Sequence, residues 1–149
     1  MIEFCPIVDK ELIKEQDFEG RMLSAQRDLE RAIASLPGIE ITSGGILRSL
    51  NEPFRLFFRV TDEKGLAFLT RCVDFRYWKY GYLWKVELSI GDQIYDDGHL
   101  PISYMLHSGP IIGEEACEQA RSLLENMEYH INHKNFMNFF NLTVDDFDL

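Results

Sequence analysis

Ten consecutive residues, RYWKYGYLWK at positions 76–85, set five aromatic rings (Tyr77, Trp78, Tyr80, Tyr82, Trp84) between three cations (Arg76, Lys79, Lys85). Nucleic-acid binders use that mixture to stack bases and hold phosphates, and a packed hairpin also produces it. Two-residue alternation predicts that Tyr82 and Trp84 enter the core, which leaves Tyr77, Trp78 and Tyr80 around a turn closed by Gly81. In the functional reading, Trp78, Arg76 and Arg59 hold a small anionic or planar ligand, and the candidate binding set is Arg59, Arg76, Tyr77, Trp78, Lys79 and His107. In the plainer reading the rings cover the end of a sheet and the cations are ordinary solvated charges.

Three other stretches carry reactive residue types. In HSGPIIGEE, His107 and Ser108 precede two glycines and a helix start, where backbone amides can meet an anion; the spacing matches no phosphate-binding fingerprint, and Glu114 and Glu115 already occupy the positive helix end. His130 and His133 lie three residues apart near a helix end, but a zinc site needs three or four ligands and only two are local. No metal site and no cofactor are therefore expected. Cys72, beside Arg71 and near Asp74, would need a base such as His107 to act as a nucleophile, and a cysteine in an apolar strand reads first as a small core residue.

Charge is unevenly distributed. The chain of 149 residues has a formal net charge of −10, made up of −4 over residues 1–47, +4 over 48–85 and −10 over 86–149. A positive segment inside an acidic protein can steer partners, whereas a nucleic-acid binder would show a basic excess over the whole domain. Nucleic acid is not the partner this charge pattern predicts; a protein or a small anionic ligand is expected. Cys5, Cys72 and Cys117 are far apart and odd in number, so no disulfide framework or CxxC site is predicted. The amino terminus lacks the order of a signal peptide and no apolar run approaches a membrane span, so a cytoplasmic protein is expected.

These residues need elements to position them. Met22, Ala25, Leu29, Ala32 or Ile33, and Leu36 recur at helical spacing up to Pro37-Gly38. The period then falls to two: an apolar run at 38–42, FRLFFRVT with Phe54, Leu56, Phe58 and Val60 inward, GLAFLTRCVD, YLWKVELSI with Tyr82, Trp84, Val86, Leu88 and Ile90 inward, and a short strand near 102–106. Ala116, Ala120, Leu123, Leu124, Met127 and Ile131 restore the helical period between Glu114 and about His133, and an apolar cap follows from Phe136 to Leu142. The prediction is one α+β domain over residues 1–149: an antiparallel sheet of about five strands, with an N-terminal and a C-terminal helix packed on one face and an acidic frayed tail at about 143–149.

The outward sheet face then carries Arg55, Phe57, Arg59, Lys85 and Glu87, with Arg71 as a further candidate. With no complete catalytic constellation, the leading reading is a small non-catalytic binding or interaction protein that uses this face and the aromatic-basic turn. The alternative is a small enzyme with a pocket near Arg59, Arg71, Asp74 and His107. A third reading, an acidic decoy for a nucleic-acid-binding protein, rests on the charge of residues 86–149.

Overall fold

The computed structural model describes residues 18–43, 53–90 and 102–147. Four strands form one antiparallel sheet in the order β1-β2-β4-β3, from β1 (Ile39–Ser43), β2 (Arg55–Val60), β3 (Lys85–Ile90) and β4 (Ile102–His107). Helix α1 (Phe18–Ala34) precedes them, α2 (Glu63–Cys72) lies between β2 and β3, and α3 (Gly113–Ile131) and α4 (Lys134–Phe139) follow. The class is α+β. The turn that composition suggests at Gly44-Gly45 and the loop that it suggests at Asp96-Asp97-Gly98 lie outside the described residues, as do the first 17 positions.

One core explains the layering. Ala25, Leu29 and Ile33 of α1, Phe68, Leu69 and Cys72 of α2, Ala120, Leu123 and Met127 of α3, and Phe136 of α4 all join Leu56, Phe58 and Leu106 from one sheet face. Among the described residues, every helix stands on that face. Alternation in β2 buries Leu56 and Phe58 and leaves Arg55 exposed, as its two-residue period requires.

The expected count of about five strands falls to four among the described residues because GLAFLTRC, the bulk of GLAFLTRCVD, is helical. Its buried positions, Gly65, Phe68, Leu69 and Cys72, stand at i, i+3, i+4 and i+7, the spacing of one helix face. Asp62, whose Asp-Glu-Lys-Gly setting has the composition of a turn, is the helix N-cap: its carboxylate accepts the Lys64 backbone N–H at 2.9 Å. Gly65 lets the helix lie close on the Pro37-Gly38 turn that follows α1, since a Cβ there would run into the Pro37 carbonyl oxygen. Arg71 consequently belongs to a helix on the core side and not to the outer sheet face.

A second correction concerns Tyr82. Residues Gly81–Leu83 form one 3-10 turn before β3, which breaks the alternation, so Tyr82 is 67% exposed while Trp84 is buried edge-on against Phe54 at 5.7 Å between ring centroids. Leu88 faces the core side opposite Tyr104 yet stays exposed, because β3 is an edge strand.

Residues 143–147, expected as a frayed end, carry structure of their own. Asp146 closes a 3-10 turn by accepting the Thr143 N–H at 2.7 Å, and it also meets Lys64 Nζ at 3.2 Å. These bonds hold its carboxyl below the usual carboxylate range. Phe147 then reaches the core, 5.2 Å from Phe68 and only 6% exposed.

Candidate functional site

The aromatic-basic turn begins where α2 ends. Asp74 organises it: Oδ1 accepts the Arg76 backbone N–H at 2.9 Å, both carboxylate oxygens accept from the Arg76 guanidinium at 2.7–3.1 Å, and the backbone oxygen accepts the N–H groups of Tyr77 and Trp78 at 3.0 Å each. The Arg76 side-chain bonds, followed by its backbone bond, lower the Asp74 pKa to about 2. Arg76 is thereby engaged in holding the turn. Gly81 closes it, with its N–H on the Trp78 carbonyl at 2.9 Å; a Cβ at Gly81 would come within 2.5 Å of the Phe75 nitrogen and the Val73 oxygen.

The rings divide into two groups. Trp78 is half-buried, packs against the core and meets Tyr80 edge-on at 5.8 Å, and Lys79 lies over Tyr80 with Nζ 4.7 Å from the ring centroid. Phe75, Tyr77 and Tyr82 point outward, 69%, 52% and 67% exposed. Phe75 and Tyr82 line a depression with Arg76 and Lys85. Tyr77 turns to the other side, where Arg71 Cζ lies 3.2 Å from its ring centroid.

Arg71 and Tyr77 form one wall of a cleft of about 380 Å³, whose opposite wall comes from the α3–α4 junction: Tyr129, His130, His133, Phe136 and Phe139. The sequence places these groups by simple local rules. His133 N-caps α4, its Nδ1 accepting the Phe136 N–H at 3.2 Å, which leaves the proton on Nε2. His130 sits one turn earlier, 8% exposed, with its ring 4.6 Å from that of Phe136 and neither ring nitrogen hydrogen-bonded. Desolvation, then the nearby charges of Arg71 and His133, lower its pKa to about 4. Arg71 Nε is likewise buried without an acceptor.

The remaining candidates lie elsewhere. Arg59 stands opposite Glu40 of β1 on the outer sheet face. His107 is on that face too, in a row with Arg55 and Lys85, its Nδ1 accepting the Gly109 N–H at 3.1 Å and its Nε2 3.3 Å from Glu87 Oε1. Ser108 is structural: its hydroxyl oxygen accepts the Phe54 N–H at 3.1 Å, and its O–H donates to the Ile111 carbonyl at 3.4 Å. Cys72 is fully enclosed, and burial pushes its thiol well above the ordinary value, which removes the thiolate that a nucleophile needs. The described residues contain no group of three or more His, Cys, Asp or Glu able to hold a metal ion.

Sequence reading points to Tyr77 as a binding residue, to His130 and His133 only as two potential ligands of a metal, and to Arg71 in a different pocket; it does not bring these together, and Tyr129, Phe136 and Phe139 carry no signal of a site. No helix among the described residues is long and apolar enough to cross a membrane. Comparison with protein-family models, with curated proteins and with solved structures finds no match.

Proposed function

We propose that the chain is a non-catalytic binding or interaction protein whose contact surface is centred on the aromatic-basic turn and its flanking clefts and continues onto the outer sheet face through Arg59 and His107. The observation that carries this reading is the pairing of exposure with rigidity: Phe75, Tyr77 and Tyr82 are all more than half exposed on a backbone that Asp74 and Gly81 hold in place. Rings ordered before contact lose little entropy on binding, which is why exposed aromatics beside arginines anchor interfaces. The enzyme reading has less support, since Asp74 is engaged by Arg76 and His107 stands on the sheet face opposite to the helix that carries Arg71.

The test compares affinity capture from the native cell by the wild-type chain and by a Phe75→Ser, Tyr77→Ser, Tyr82→Ser variant. Loss of the same bound species from the variant, with the melting temperature lowered by no more than the few degrees that the lost Arg71–Tyr77 contact implies, is the expected result. Undiminished capture by the variant would overturn the assignment of the surface.

A further inference from the structure

The cleft between the end of α2 and the α3–α4 junction combines three properties that specify a ligand. Its one arginine keeps a free donor: Arg71 Nε is buried without an acceptor, and its charge reaches the Asp74 carboxylate only through space, with no salt bridge to it. The nearest carboxylate along the chain, Asp74, is occupied by Arg76 in a two-pronged contact. A guanidinium left without an anion in partly apolar surroundings is costly, and a ligand anion would relieve that cost.

Geometry limits how an anion can approach. Tyr77 covers one face of the Arg71 guanidinium at 3.2 Å, so a ligand must come to the edge of the fork, where parallel N–H groups match the two oxygens of a carboxylate. Beside His130, His133 and Asn135, the rest of the lining is aromatic: Phe136, 6.0 Å from Arg71 Cζ, with Phe139, Phe140 and Tyr129. Phe139 is 80% exposed, a large apolar ring that meets Phe140 edge-on at 5.1 Å and otherwise faces outward. His133 adds an Nε2–H donor, because its Nδ1 is committed to the α4 cap.

We propose that this cleft binds a small organic acid, with its carboxylate on the edge of Arg71 and a flat apolar body between Phe136, Phe139 and Tyr129. The proposal rests on the reading of the chain as a binding protein and names the ligand class for one part of that surface. A volume of about 380 Å³ falls within the range of small-molecule pockets. A single arginine suits a carboxylate monoanion better than a phosphate dianion, which calls for several donors or charges. The neighbouring cleft, which shares Tyr129 and His133, is lined by Glu125 and Glu128 and repels the same ligand, so position is specified by charge.

The test is a two-dimensional NMR titration of the full chain with 3-phenylpropionate, with its uncharged amide, with inorganic phosphate, and with a short peptide ending in phenylalanine. The acid should give saturable shifts at Arg71, Tyr77, His130 and Phe139 and bind at least about tenfold more tightly than the amide, as expected for a hydrogen-bonded charge. Arg71→Gln should abolish the preference for the acid over the amide. Because Arg71 also packs on Tyr77, Phe139→Ser serves as a second variant; on so exposed a residue it should weaken acid binding without lowering the melting temperature. Equal affinity for acid and amide, saturable shifts confined to other regions, tighter binding of phosphate, or a peptide held more than about tenfold tighter than the acid would each overturn the proposal. If the acid fails while the three-ring variant still loses its captured partner, the ligand class is wrong and the binding-protein reading stands; if capture is also undiminished, both fall.

Discussion

Arg71 and Tyr77, six residues apart, stack with the guanidinium carbon 3.2 Å from the ring centroid, and this contact ties the last turn of α2 to the loop that follows it. The helix places Arg71 on its flank, and Asp74 turns the chain back so that Tyr77 covers the cation.

Removing that cover should have a small, measurable effect on stability. Tyr77→Ala is expected to cost about 0.5–1 kcal/mol, the usual value of a cation–π pair at a partly exposed site. Urea melts of the two proteins would show it. A loss several times larger would mean that Tyr77 carries packing that its exposure does not suggest.

His130 predicts a particular acid sensitivity. Its folded pKa of about 4 lies below the ordinary histidine value of 6.5, so between those limits the unfolded chain binds the proton that the folded chain refuses. Its contribution is fully present above pH 6.5 and is lost as pH falls toward 4. The difference in stability should be on the order of 2–3 kcal/mol across that window, and a His130→Phe variant should be flatter there. Asp74 and Asp146, whose pKa values are lowered, lose their contributions at still lower pH, so they do not produce a fall in the same range. Matching pH profiles for wild type and variant would remove His130 as the cause.

The register of β3 can be tested with two neighbouring residues. Trp84→Ala should destabilise the fold by about 3–5 kcal/mol, as truncation of a buried aromatic does, whereas Lys85→Ala, exposed on the opposite face, should stay within about 0.5 kcal/mol. Denaturant melts giving equal losses would contradict the observed phase.

The carboxyl-terminal turn should behave as part of the core. Phe147→Ala is expected to cost about 3–4 kcal/mol through the lost contact with Phe68. Asp145→Asn, on an exposed residue beside it, should be nearly neutral. Thermal melts in which Phe147→Ala is silent would show that the end of the chain is only loosely attached.

Long periodic segments were legible in the sequence because repetition averages out single exceptions. Helix α1, strand β2 and helix α3 all follow from spacing alone. Residues 65–74 were misread because a dense apolar run fits either period, and the deciding signal, Asp62 as a helix cap, has the composition of a turn. Tyr82 was misplaced for a related reason: the 3-10 turn at Gly81–Leu83 shifts the phase by a step that alternation cannot show. At the candidate site, Tyr77 was visible as one of a cluster of rings. Its partnership with Arg71 and His130 was not, because it depends on α2 being a helix and on that helix packing against α3.

The strand order also bears on how the chain reaches its fold. β4 lies between β2 and β3 although it comes after both in the chain, so the central ladder joins Arg55 to His107 and Leu56 to Leu106. No local hairpin can nucleate that ladder. The ordering entropy of the intervening chain must be met before the central pairing forms, which places this domain among the slower mixed folds of its size. Refolding after rapid dilution should therefore be limited by the docking of β4, and substitutions at Leu106 should slow folding more than those at Leu88 on the outer strand.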